Sequence, residues 1–140
     1  MATYNKFQQF TKDLIDGAHD FDAHVFKVML TNTVPLATNT VKANITEISA
    51  GSGYSAGGTA TTITTSTTTG TSKATGTDVV FTAAGGSVGP FRYAVLYNDT
   101  TSTPAKPLIA WWDYGSSITL ADTETLTVDF DAANGIFQIS

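Results

Sequence analysis

The chain has 140 residues, seven basic and twelve acidic, with a formal net charge of −5 and no cysteine. That length suits a single domain, residues 1–140. The missing thiols exclude a disulfide framework, a thiolate zinc site and a cysteine nucleophile, and so few cations argue against a phosphate-tracking nucleic-acid binder.

Charged residues make up only 14% of the chain, against roughly 25% in soluble domains generally. The polar surface therefore falls to Thr, Ser, Asn and Gly, which are easier to dehydrate than Lys and Glu, as suits a subunit of an assembly. No apolar run approaches the roughly 18 residues a membrane span needs. The opening MATYNKFQQF lacks the basic and apolar regions of a signal peptide, so synthesis and folding in a cytoplasm are expected.

The first element expected is a helix over residues 5–18, on an N-terminal arm of residues 1–20. Phe7, Phe10, Leu14 and Ala18 recur at spacings of three and four, with Ile15 beside Leu14, which writes one apolar face. Thr3 or Asn5 is a candidate cap, and Gly17 marks the end. The helix either packs on its own domain or reaches a neighbouring subunit. HDFDAH follows, with His19, Asp20, Asp22 and His24; metal ligation is conceivable, but ordinary polar residues at a junction are the plainer reading.

Residues 24–30 alternate as a strand, with Phe26, Val28 and Leu30 on one face. A loop broken by Pro35 comes next. Val41, Ile45 and Ile48 fit either a helical turn or a short strand. GSGYSAGG around Tyr54 lacks the lysine of a P-loop and the spacing of a dinucleotide loop, so a connection between sheets is expected. Residues 59–77 hold 11 threonines in 19 residues. Their β propensity predicts a strand over 60–66, a turn near Gly70, and a second strand leading to 79–81.

Three apolar runs then follow: 79–81, 91–97 and 108–112. The middle one is apolar on both alternations, with Phe91, Tyr93, Val95 and Tyr97 on one and Ala94 and Leu96 on the other. A half-buried strand would show polar residues at every second position. This strand should therefore be covered on both faces, by a second sheet and a helix or by a partner subunit. Arg92 needs a carboxylate partner, Asp113 or Asp129. Trp111 and Trp112 are adjacent and should point to opposite faces. Short strands over 117–120 and 125–130, then Asn134-Gly135 as a tight turn before 136–139, complete the chain, the last two strands reading as a C-terminal hairpin.

The tally is an all-β protein: an antiparallel, jelly-roll-like β-sandwich over residues 21–140 with about eight strands and one short N-terminal α-helix. No nucleophile is written beside a base, and no cofactor or metal is expected. Trp111 or Trp112 with Asp113 is a possible sugar-ring platform. Core packing plus a protein interface is the stronger reading for the tryptophans.

Several runs occur in a telling order: MATYNKF, LTNTVPLATNTV, ITEISAGSGYSAGGT, VFTAAGGSVGPFRYAVLYND, KPLIAWWDYGSSITL and TLTVDF. Together they cover nearly the whole chain, the Thr-rich 59–77 matching least. In these runs the chain resembles the cement, or decoration, proteins of tailed-bacteriophage capsids, most closely those of podovirus heads of the Bordetella-phage type. The resemblance implies a non-enzymatic jelly-roll subunit on the outer surface of an HK97-type shell in the virion. It implies homo-oligomers, dimers in particular, bridging neighbouring copies of the major capsid protein. The surfaces expected to make those contacts are Tyr4, Phe7 and Phe10 on the N-terminal segment and the sheet face around Tyr93, Tyr97 and Trp111. A tail, neck or fibre-base subunit built on the same sandwich, and a carbohydrate-binding module, are the alternatives.

Overall fold

Where the chain alternates apolar and polar residues it forms strands, and ten of them are found in a computed structural model that describes residues 2–140. They are β1 (Thr3–Lys6), β2 (Phe26–Thr31), β3 (Thr59–Thr61), β4 (Ile63–Thr68), β5 (Thr71–Gly76), β6 (Val79–Thr82), β7 (Val88–Asn98), β8 (Leu108–Leu120), β9 (Thr125–Val128) and β10 (Phe137–Ile139). One helix, α1 (Gln9–Ile15), lies between β1 and β2. All pairings are antiparallel. The five-stranded sheet runs β1-β8-β7-β2-β3, a three-stranded sheet runs β10-β5-β4, and β6 and β9 form a ribbon. The expected C-terminal hairpin does not form, because β9 is taken by β6 and β10 by β5. The protein is thus an all-β antiparallel sandwich with a short N-terminal helix, as its sequence predicts.

The helix begins later than the periodicity suggests. Residues 3–6 pair with β8, Tyr4 opposite Trp112 and Asn5 opposite Trp111. Ladder pairing beside two large indoles wins over the weak propensity of a single helical turn. Phe7 and Phe10 still share a purpose, but they enter two different layers of the molecule.

β7 is covered on both faces, and both covers come from its own chain. On the inner face Phe26, Val28, Leu30, Ala94, Leu96 and Trp112 meet Val79, Phe81, Val128 and Phe130 from the opposing layer. On the outer face Met29, Tyr93, Val95, Tyr97, Leu108 and Trp111 are roofed by Phe7, Ala37 and Ile45. The second cover is thus mainly the loop after β2, which includes a single 3-10 turn at Lys42–Asn44. Phe91 departs from the expected alternation. It pairs with Ile118 while Tyr93 pairs with Asp113, so β8 carries extra residues there. That bulge turns Phe91 into the inner layer with Ala94 and Leu96.

The roofing loop is held by one carboxylate. Glu47 accepts from the Tyr54 hydroxyl at 2.7 Å and the Gly57 N–H at 2.5 Å, and pairs with Lys42 at 3.1 Å. The Tyr54 hydroxyl in turn accepts from the Leu30 N–H at 3.0 Å. Its burial raises the phenol well above its usual range. The chain then enters β3 through Gly58, whose φ is +78° and where a Cβ would lie 1.8 Å from the Val28 carbonyl oxygen. Only glycine fits there.

Candidate functional site

The predicted contact residues separate sharply once folded. Phe7 and Phe10 are 0% and 2% exposed, and Tyr97 is 0% exposed with its hydroxyl donating to the Gly57 carbonyl at 2.7 Å. Tyr93 and Trp111 are also buried. Phe7 packs against Trp111 with ring centroids 4.6 Å apart. These five therefore build the domain's own two layers. They offer no free face to a partner, because residue 7 and the loop after β2 already occupy the space above the sheet. Tyr4 alone among the six is exposed, at 41%.

Tyr4 leads to a concavity lined by aromatic rings. Its ring meets Trp112 edge-on at 5.6 Å, and Trp112 meets Phe130 the same way at 5.2 Å. Tyr4, Trp112, Tyr114, Thr127, Asp129 and Asp131 line a cleft of about 400 Å³ between the β1-β8 end of the five-stranded sheet and β9 with the residues that follow it. The strands explain the grouping. Alternation on β8 puts Trp112 and Tyr114 on one side, and β1 lays Tyr4 directly opposite Trp112. Burial, with the nearby Asp129 carboxylate, pushes the Tyr114 phenol up to about 12, so it is a neutral hydroxyl at physiological pH. Asp131 is committed to its own turn, accepting from the Ala133 and Asn134 N–H groups at 2.8 and 3.0 Å.

Trp111 and Asp113, expected beside Trp112 in a sugar platform, do not enter this cleft. Asp113 is held by Arg92 through two bonds, Nε at 2.8 Å and Nη2 at 3.1 Å, and also accepts from the Gly115 N–H. The Arg92 guanidinium, then the Gly115 amide, hold its carboxyl below the usual carboxylate range. The ion pair foreseen for Arg92 is therefore made with Asp113.

HDFDAH forms a turn, not a strand. The Asp20 carboxylate caps the N–H groups of Asp22 and Ala23 at 3.0 and 3.1 Å. His19 and His24 converge instead on Asn98, which is fully buried. Its Nδ2 lies 3.1 Å from His19 Nδ1 and 2.9 Å from His24 Nδ1. The Asn98 side-chain oxygen accepts from the N–H groups of Thr100 and Thr101. This ties the β7–β8 connection to the segment after α1. Burial lowers His19 to about 4, against the opposing pull of Asp13. Among the described residues no group of three or more His, Asp or Glu side chains is placed to hold a metal ion. No helix among them is long and apolar enough to cross a membrane.

Several exposed apolar residues escaped the sequence reading, among them Ile15, expected on the apolar face of the helix but 85% exposed. Val34 and Leu36, 57% and 58% exposed, project from the loop after β2. The Gln8 N–H donates to Ala37 at 2.9 Å, which ties that loop to the start of α1. The only signal was the apolar pair flanking Pro35 in an otherwise polar loop. Neither a family model, nor a curated protein, nor a solved structure matches the chain.

Proposed function

We propose that this protein is a non-enzymatic virion subunit, a cement protein that binds the outer surface of an HK97-type phage capsid and clamps neighbouring major capsid subunits. The reading rests on the resemblance that the ordered sequence runs, from MATYNKF to TLTVDF, bear to such proteins. The low-charge, hydroxyl-rich surface supports it, since hydroxyls that find hydrogen-bond partners are covered at far less cost than charges. The doubly covered central sheet supports it as well. A clamp transmits load only if its own layers do not slide, and here both faces of β7 are filled by side chains of the same chain.

The contact surface in this reading is Tyr4 on β1 together with Val34 and Leu36 on the loop. Packaged DNA presses the shell outward, and a clamp adds buried area across seams that would otherwise open. Roughly 25 cal/mol per Å² of apolar area makes even a modest contact significant. Two contacts held by one oligomer reinforce each other through effective concentration. The test is the copy number of this chain in purified virions relative to the major capsid protein, by quantitative mass spectrometry. A ratio near one supports the cement reading, a handful of copies per particle points to the tail or neck, and none overturns both.

A second reading is favoured by the Tyr4–Trp112–Tyr114 cleft with its Asp129 carboxylate. Aromatic rings beside a carboxylate suit a pyranose, whose C–H face stacks while its hydroxyls donate. Quenching of tryptophan fluorescence by a panel of sugars, lost in Tyr4→Ala, would support a carbohydrate-binding role. No response across the panel would remove it.

A further inference from the structure

β4 is the longest strand in the molecule with a partner on one side only. It ends the β10-β5-β4 sheet. Residues 64–68 are all exposed and read Thr-Thr-Ser-Thr-Thr. Such an edge is ready to accept another strand, and proteins normally block it with charge, proline or a bulge. β4 has none of these: it holds no charged residue and no proline, and its ladder with β5 is unbroken from Ile63–Gly76 to Thr68–Thr71. The one cation of the hairpin, Lys73, is turned away onto the carbonyls of Ala132 and Ala133 at 3.2 and 2.8 Å.

The geometry points to a second copy of this chain as the occupant, paired antiparallel with β4 about a two-fold axis through Ser66. The hairpin sets which groups are free. Thr69 and Gly70 both have positive φ, +49° and +79°, a two-residue turn that makes Thr68–Thr71 a hydrogen-bonded pair. At the far end the Thr77 N–H donates to the Thr62 carbonyl at 3.0 Å, so the even-numbered residues bond inward. The N–H and C=O of Thr65 and Thr67 therefore face outward. With Ser66 opposite Ser66 of the second copy, Thr65 meets Thr67 and Thr67 meets Thr65, and all four outward groups at each end find partners. Thr64 faces Thr68, so every opposed pair is hydroxyl on hydroxyl, a favourable cross-strand pairing.

Charge does not bar that partner. Two copies each carrying −5 repel, and they approach at least cost along a strand that bears no charge. An apolar groove adjoins the edge, lined by Leu14, Phe21, Phe137 and Ile139 together with Thr65 and Thr67. Ile139 is 51% exposed, so the contact extends beyond the ladder. Each copy has one such edge, so the pairing is isologous and closes at two. The clamp reading needs an oligomer, and this inference deepens that reading by naming the surface that makes it.

Disulfide trapping tests the register. In a non-hydrogen-bonded pair the Cα atoms lie about 4.5 Å apart, within the range a disulfide spans. Ser66→Cys should therefore give a linked dimer under mild oxidation. Thr68→Cys, equally exposed but about 14 Å from its own copy in this register, should not. Ser66→Lys should weaken association by at least about tenfold in sedimentation equilibrium, while Ser66→Thr should leave it intact, with tryptophan fluorescence checking the fold of each. A wild-type monomer across the concentration series overturns the proposal, and so does a dimer indifferent to Ser66→Lys or Thr68→Cys linking as readily as Ser66→Cys. A β4 dimer absent from virions leaves this interface standing and sinks the cement reading; a monomer abundant in virions does the reverse.

Discussion

His19 is neutral in the fold because its imidazole is buried beside Phe10, Phe21 and Phe26. Its folded pKa, about 4, lies below the unfolded value of 6.5. The unfolded chain thus binds the extra proton first as pH falls. The stabilisation is whole above pH 6.5 and is lost between 6.5 and 4, on the order of 3 kcal/mol. Urea unfolding across that range should show the decline, and His19→Gln should flatten it. A wild-type curve flat from pH 7 to 4.5 would refute the assignment. Glu47 acts differently, through what it joins. Glu47→Ala strands the Tyr54 hydroxyl and the Gly57 N–H together, and should cost about 2–4 kcal/mol of unfolding free energy. Glu47→Gln, which keeps an acceptor, should cost less.

Elements respond to changes at their crossings more than along their lengths. At Gly58 the chain leaves the roofing loop for β3 against the backbone of Val28 and Met29. Gly58→Ala forces these apart and should cost more than about 3 kcal/mol, or prevent folding, as read by circular dichroism. Gly17, with open space around it but a φ of +79°, should tolerate alanine with a loss nearer 1 kcal/mol. The N-terminal segment is an integral strand and a core anchor. Phe10→Ala, at the junction of Phe21, Phe137 and His19, should cost about 3–5 kcal/mol. Tyr4→Ala removes an exposed ring and should cost much less in stability while reducing binding to heads.

At the scale of the molecule, cohesion and contact fall to different residues. Most large aromatics fill two layers, and in the cement reading proposed above Tyr4, Val34, Leu36 and the β4 edge are the contact surfaces. Heads carrying the protein should release DNA at a higher temperature than heads lacking it. Tyr4→Ala with Leu36→Ala should remove that difference while the isolated domain melts nearly as before. Equal release temperatures with and without bound protein would count against a clamp.

Alternation and composition wrote the all-β class, the antiparallel strands and the double cover of β7, because a strand's two faces are legible in period two whatever lies above them. The opposed tryptophans were legible for the same reason; that Arg92 needs a carboxylate followed from its charge, and only the fold chose Asp113 over Asp129. The fate of the N-terminal segment was not. Phe7 and Phe10 at a spacing of three describe a helix face equally well as a strand end followed by a turn, and only the place beside β8 decides between them. Nor did composition distinguish an aromatic that anchors a partner from one that fills the core. Tyr93, Tyr97 and Trp111 have the chemistry of an interface, but a loop far away in sequence, from Ala37 to Ile45, covers them. Exposure depends on which distant segments arrive, and that is a property of the folded chain alone.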